Sequence, residues 1–271
     1  MKGILFPLAV IGIAAASLVS CKKDAKTQQT SPDQISQETL TQIQNMGFYA
    51  KGVQKVDEGY LVEGDIVLTP SDLASTPTVY GMRVGTTEQY RTNNLVSAGG
   101  GRTITVALSN KLPSSYAAAL QIMVDRYNAQ NLLLHFQAVS SGANITFVPG
   151  HGSYLASSGF PTSTGDPYNQ VKVNAQYLGS GNGSSTFNNY LATIFAHEVG
   201  HCIGFRHTDY MDRSYSCGGS YSNEGASTVG AVWIANTPQT AEPNSWMLAC
   251  ISANQDRPFD KYDVTALNAL Y

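Results

Sequence analysis

The chain has 271 residues, 42% of them hydrophobic and 10% aromatic, so a sizeable core is available and global disorder is excluded. Only 13% are charged, the formal net charge is −3, and no basic run reaches the density of a nucleic-acid footprint, which excludes nucleic acid as a partner. Polarity comes instead from Ser, Thr, Asn, Gln and 25 Gly, as in a turn-rich protein built for an exterior environment; four Cys are too few for a disulfide scaffold.

In chain order, residues 1–20 carry Lys2 and then an apolar stretch from Ile4 to Val19. That stretch is short for a membrane span of roughly 20 residues and predicts a secretory signal. Leu18-Val19-Ser20-Cys21 resembles the bacterial lipobox, cut before a cysteine that then carries the lipid. The resemblance implies acyl chains such as palmitate on Cys21; the alternative is an ordinary signal with a chance Cys. Lys22-Lys23-Asp24 resembles the surface-export signal of Bacteroidetes lipoproteins. Together they imply an exported bacterial lipoprotein, a monomer at the outer membrane or cell surface. Residues 21–35 are polar and read as a flexible tether.

Residues 36–50 place Leu40, Ile43 and Met46 at helical spacing. Tyr60 to Leu68 predicts a strand stopped by Pro70, and Ala74 to Thr78 with Pro77, Gly81 and Gly85 predicts a linker. Beyond Gly99-Gly100-Gly101, Arg102 to Leu108 alternates as a strand does. Pro113-Ser114-Ser115 opens a helix to about Asn128, with Ala117, Leu120, Val124 and Tyr127 on one face. Leu132 to Val139 and Asn144 to Val148 predict strands, 149–169 a long loop, and Val171 to Leu178 a further strand. The Gly179 to Ser185 run lacks the Lys-Ser/Thr of a phosphate loop and leads into a helix over 186–203. This order predicts an α+β or α/β domain with a small sheet.

The second helix contains His197-Glu198-Val199-Gly200-His201, followed by Gly204 and His207. Residues i and i+4 lie one above the other, so His197 and His201 aim two imidazoles at one point. Gly204 stands where a helix stops and the chain turns through positive φ, which brings His207 back as a third ligand. Three imidazoles leave the fourth tetrahedral position of Zn²⁺ to water, the mark of a catalytic site. Glu198, next to the first ligand, is placed to act on that water as general base. Three of the five His in the chain fall within these eleven residues.

His197-Glu198-x-x-His201-x-x-Gly204-x-x-His207 is similar to the zinc motif of the metzincin peptidases. That clan places a methionine turn under the metal, and Asn244-Ser245-Trp246-Met247 is the best match for it; Met211, four residues from His207, is the rival. Gly200-His201-Cys202-Ile203-Gly204-Phe205-Arg206-His207-Thr208-Asp209 and Tyr60-Leu61-Val62-Glu63-Gly64-Asp65-Ile66 look like the secreted bacterial dual-action HEIGH metallopeptidases, with Val199 for the Ile of that name. The resemblance implies a metzincin-like α+β fold: a small twisted mixed sheet, two main helices, an active-site helix and an irregular C-terminal subdomain holding Met247. It also implies that an edge strand binds extended substrate, with Val171 to Leu178 as that edge or its neighbour. The implied organisation is a signal (1–20), a tether (21–35), an N-terminal segment with the place of a pro-segment (36–95) and a zinc peptidase domain (96–271).

Two positions depart from better-known subfamilies. Thr208 follows the third His, and Ala249 stands two residues past Met247, where some members carry a tyrosine over the zinc. The second transition-state stabiliser is therefore unassigned, with Tyr210 and Tyr215 nearby in sequence. His135 and His151 read as strand and loop residues without partner spacing for a second metal. Asp57, Glu58, Glu63 and Asp65 read as a solvated acidic face; a second reading has the N-terminal segment cover the cleft and place a carboxylate on zinc, giving latency. Cys202, Cys217 and Cys250 allow three pairings and leave one thiol over.

The function expected is zinc-dependent endopeptidase, cleaving extracellular proteins or peptides with one catalytic zinc and a water activated by Glu198. The alternatives are a surface binding or adhesion lipoprotein that keeps a zinc site without turnover, and a zinc hydrolase acting on a non-peptide amide or ester.

Overall fold

The computed structural model describes residues 35–46, 48–74, 89–224, 229–238 and 242–271. The signal, Cys21, the tether to residue 34 and the linker from residue 75 lie outside the described residues. Among the described residues no helix is long and apolar enough to cross a membrane.

Helix α1 (Gln37–Asn45) starts at Ser36, whose hydroxyl accepts from the Thr39 N–H and satisfies one of the open donors of the first turn. Three short strands follow as an antiparallel meander: β1 (Gln54–Val56), β2 (Gly59–Val62) and β3 (Ile66–Leu68). The single strand expected over Tyr60 to Leu68 is thus a hairpin. Val62 pairs with Ile66, and Glu63-Gly64-Asp65 make the turn. Pro70 stops the strand as expected and also opens a short helix, α2 (Pro70–Ala74), where its missing N–H costs nothing. Ile43, Met46, Phe48, Val62, Ile66 and Leu68 form a small core of their own.

Strand β4 (Tyr90–Arg91) leads into the main sheet, built from β5 (Arg102–Leu108), β6 (Leu134–Ala138), β7 (Ile145–Pro149), β8 (Ala156–Ser157) and β9 (Gln170–Val173). A 3₁₀ turn at 114–116 runs into α3 (Ala117–Asn128) between β5 and β6. The sheet order is β6-β5-β7-β9-β8; the first four strands are parallel and β8 runs antiparallel on the edge. Ile104 stands opposite Phe136, Val106 opposite Ile145, and Phe147 opposite Val171. Two expectations are corrected here. The loop expected over 149–169 contains β8, too short at two residues to show a period. The strand expected over Val171 to Leu178 ends at Val173, because Asn174 accepts from the Gln176 N–H and caps α4 (Ala175–Leu178).

Helix α5 (Ser185–Ile203) is the centre of the molecule's larger core. Every residue from Tyr190 to Ile203 is buried, as expected of a helix that has core on all sides. Phe195 meets Phe147 of the sheet at 4.5 Å between ring centroids, and Tyr127 of α3 meets Phe136 at 4.6 Å. Burying each such side chain contributes roughly 1.5–3 kcal/mol. After α5 come α6 (Ser214–Cys217), β10 (Val232–Trp233) and α7 (Lys261–Leu270). Helix α7 begins with a capping box between Asp260 and Asp263. Asp263 also accepts from the Trp246 N–H and from Gln89 Nε2, fixing the chain just before Met247. The α+β class, the small mixed sheet and the two main helices are those expected.

Residues 89–95, grouped by sequence with the N-terminal segment, bond to the chain just after α5. Strand β4 pairs with β10, the Arg206 N–H donates to Tyr90 O, and the Thr92 N–H donates to Gly204 O. That pairing steadies the turn between the second and third histidines.

Candidate metal centre

The last turns of α5 bring His197 and His201 together, their ring centroids 4.7 Å apart. Gly204 then ends the helix at φ +116°, and the chain reverses so that His207 joins them. A side chain at Gly204 is excluded twice over: by the left-handed φ, and because a Cβ would lie 2.7 Å from Leu95. The neighbouring Gly200 serves a different purpose. A Cβ there would stand 2.5 Å from Met247 Sδ, so the missing side chain is what lets Met247 pack against α5 at this turn. Met247 is fully buried. Its carbonyl accepts from the Thr208 N–H, and the preceding carbonyl of Trp246 accepts from His197. Met211, the rival in sequence, instead lies against the Tyr90 hydroxyl.

Each imidazole is held by its outer nitrogen. His197 Nδ1 donates to Trp246 O at 2.9 Å, His201 Nδ1 to Phe205 O at 2.9 Å, and His207 Nδ1 to Glu224 Oε1 at 2.8 Å. Carbonyl oxygens only accept, so for the first two the proton is on Nδ1 and the Nε2 lone pair faces inward. Burial and the adjacent imidazoles push the pKa of His201 well below its ordinary value, which keeps it neutral at pH 7. His201 Nε2 and His207 Nε2 face one another at 3.2 Å, and His197 Nε2 is buried without a hydrogen-bond partner among the described residues. Inward lone pairs on tethered rings are the donor set a zinc ion requires.

A carboxylate completes the group. Asp65, in the β2–β3 turn, places Oδ2 3.1 Å from His207 Nε2 and 3.4 Å from His197 Nε2. One ligand atom from each of Asp65, His197, His201 and His207 lies within 4.8 Å of the others. Burial opposes ionisation of Asp65, but the neighbouring His207 and the other imidazoles outweigh it and hold its carboxyl well below the usual range. The sequence left Asp65 and its three acidic neighbours between a solvated face and a carboxylate on zinc; the structure buries Asp65 among the histidines. The hairpin is held by backbone bonds, from the Val67 N–H to Ser158 O and from the Ser158 N–H to Asp65 O, where the chain leaves edge strand β8.

Glu198 is buried beside the ligands. Ser158 Oγ donates to its Oε2 at 2.7 Å and sets the rotation of the carboxylate. Burial and the nearby Asp65 charge push its pKa well above the ordinary value, in the direction a proton acceptor near neutrality needs. A cavity of about 280 Å³ opens next to His197 and Glu198, lined further by Tyr154, Leu155, Ile194, Leu248 and Arg257.

The remaining candidates fall elsewhere. His135 and His151 are exposed and outside the metal group. Tyr215 is 46% exposed, whereas Tyr210 is buried with its ring edge-on to Tyr90 at 4.3 Å. The open choice among the three remaining cysteines resolves to a Cys217–Cys250 disulfide, with Cys202 a buried thiol in α5. Residues that sequence reasoning passed over are Ser158, Glu224 and Arg206. A further cluster of Glu63, His207 and Glu224 could in principle take a cation, but Arg206 and Arg213 already balance its charge.

Comparison with solved structures gives distant likenesses only. One structure of myroilysin shares 22% identity over 44% of this chain and 54% of its own, about half its length, with a TM-score of 0.31. A crystal structure of myroilysin shares 13% over 74% and 95%, with a TM-score of 0.37. High choriolytic enzyme 1, a hatching-enzyme zinc protease of the medaka fish Oryzias latipes, shares 15% over 65% and 92%, with a TM-score of 0.38. Comparison with curated proteins finds no match. The sequence model of the dual-action HEIGH metallo-peptidases, by contrast, matches residues 60–271, from the hairpin through the zinc motif to the C-terminus. With a cluster of inward-facing histidines and a family match over most of the chain, the protein belongs to the dual-action HEIGH metallo-peptidase family and is a zinc metallopeptidase.

Proposed function

We propose that the protein is an endopeptidase that cleaves extracellular proteins, with His197, His201 and His207 as zinc ligands and Glu198 as general base. The observation that carries this reading is Glu198 itself: a buried carboxylate beside three inward imidazoles, held in one rotation by Ser158. Zinc bound there supplies a Lewis acid that lowers the pKa of a water and favours negative charge on the scissile carbonyl oxygen. Glu198 accepts the proton of the attacking water and returns it to the departing amine. Edge strand β8 offers its open backbone groups to an extended peptide, and the cavity beside Glu198 receives a substrate side chain. Met247 is the methionine of the turn that floors the site.

Residues 36–95 are read as the N-terminal segment, of which 36–74 cover the site and hold it latent. Support comes from Asp65 among the histidines and from the hairpin bonded where a substrate would pair. The same carboxylate favours the rival reading of a zinc-holding surface protein without turnover, since three His and one Asp make a closed set of four. A base kept buried and oriented has no use in such a protein. The chain acts as a monomer outside the cell, anchored through acyl chains on Cys21 after removal of residues 1–20; support is the lipobox-like Leu18-Val19-Ser20-Cys21.

Digesting a broad peptide library with and without a chelator tests the activity. Cleavage that the chelator stops is expected once the hairpin is displaced. Glu198→Ala, in the same activated form, should retain zinc and lose about 10²–10⁴-fold in rate. Cleavage of casein or gelatin by that variant at the unmutated rate would refute the assignment of Glu198.

A further inference from the structure

The three histidines are not held alike. His197 and His201 stand on α5 and donate to backbone carbonyls of Trp246 and Phe205. His207 lies past the Gly204 turn, off the helix, and its Nδ1 meets a carboxylate, Glu224 Oε1, at 2.8 Å. Glu224 comes from the irregular stretch after α6 and is fully buried. Its position is over-determined. The Glu224 N–H donates to Tyr210 O, Arg213 Nε lies 3.0 Å from Oε1, and an Arg206 amino group lies 3.7 Å from Oε2. The Arg206 side chain is itself fully buried, between Glu224 and Glu63. Two guanidiniums therefore flank Glu224, with Oε1 on His207 Nδ1 and Oε2 on the Arg206 side.

We propose that Glu224 is the positioning residue for the third zinc ligand: it fixes the His207 ring with Nε2 inward and makes that imidazole a stronger donor. This rests on the reading of His197, His201 and His207 as the zinc site. The physical ground is that a ligand off the helix lacks the frame that orients the other two. A carboxylate on the outer nitrogen supplies orientation and electron density together. The competing account is that Glu224 only neutralises Arg206 and Arg213.

Zinc affinity of the full-length protein, measured by competition with a chromophoric chelator, separates the two. Glu224→Gln keeps shape and an acceptor but loses the charge; Glu224→Ala loses both. Positioning predicts about 10–100-fold weaker zinc binding for Gln and a larger loss for Ala, at a temperature where the chelator-treated variants are folded by circular dichroism. It also predicts an altered visible spectrum for the cobalt-substituted Gln variant, which a charge partner remote from the metal would leave unchanged. A folded Gln variant with unaltered zinc affinity and cobalt spectrum overturns the proposal, whatever its melting temperature. If neither variant folds, nitrogen-15 NMR of the unmutated zinc-loaded protein decides. A His207 Nδ1 proton further downfield and slower to exchange than the two bonded to carbonyls supports the proposal, and its absence overturns it. Unmutated protein that binds no zinc refutes the underlying site; zinc binding with an indifferent Gln variant refutes this inference alone.

Discussion

The N-terminal segment and the zinc domain are both small mixtures of helix and strand, but they are held by different forces. The zinc domain closes around α5, whose last fourteen residues are buried on every side, so its parts cannot separate without exposing aromatic core. The segment over 36–74 has two small cores, six apolar side chains with Phe160 and Val229 of the larger body packed against them, and Leu61 and Val67 against Tyr154. Its other ties are polar: Asp65 to the histidines, Glu63 to Arg206, Glu58 to Lys172, and two backbone bonds to Ser158. Buried ion pairs give little net stability once desolvation is counted. Extensive apolar packing thus holds one region, and a mixture of small apolar cores and polar contacts fastens the other.

Substitutions should break that contrast in a graded way. The largest effect is expected from Asp65→Ala, which removes the carboxylate from the metal group while leaving the zinc domain intact. Activity of the full-length chain on a peptide substrate should rise about 10–100-fold, with zinc retained. A variant as silent as the parent would mean the hairpin blocks by coverage alone, and one that loses its zinc would make Asp65 a permanent ligand.

In the zinc domain, Cys217→Ser opens a disulfide with a sequence separation of 33 that ties α6 to the chain after Met247. It should cost about 3–4 kcal/mol, read as a lowered midpoint in urea unfolding. The hairpin lies outside that loop, so the activating effect of Asp65→Ala should persist in the double variant. A smaller loss, about 1–3 kcal/mol, is expected for Gly200→Ala, whose new Cβ must displace Met247 Sδ. Thermal unfolding at unchanged zinc saturation measures it; an unshifted midpoint would show that Met247 can move aside without cost.

The three histidines of the proposed zinc site were legible in sequence because their geometry is local. A helix repeats every 3.6 residues, so His197 and His201 declare a shared face, and Gly204 declares the turn that returns His207. The strands over Arg102 to Leu108 and Asn144 to Val148 were legible from alternation for the same reason. The disulfide was not, because three cysteines fix no partner until the chain around them is folded. Strand β8 was missed because two residues carry no period, and the break within Tyr60 to Leu68 because a three-residue turn barely interrupts the apolar run.

What the sequence determined alone was the chemistry available: three imidazoles, a carboxylate beside them and the helix that presents them. What only the tertiary structure decided was which distant groups act on them. Asp65 reaches His207 from 142 residues away, Ser158 reaches Glu198 from 40, and Glu224 reaches His207 from 17. Local periodicity encodes the direction of a side chain from its own element. Contacts between elements depend on how separate apolar faces pack, and no spacing along the chain records that.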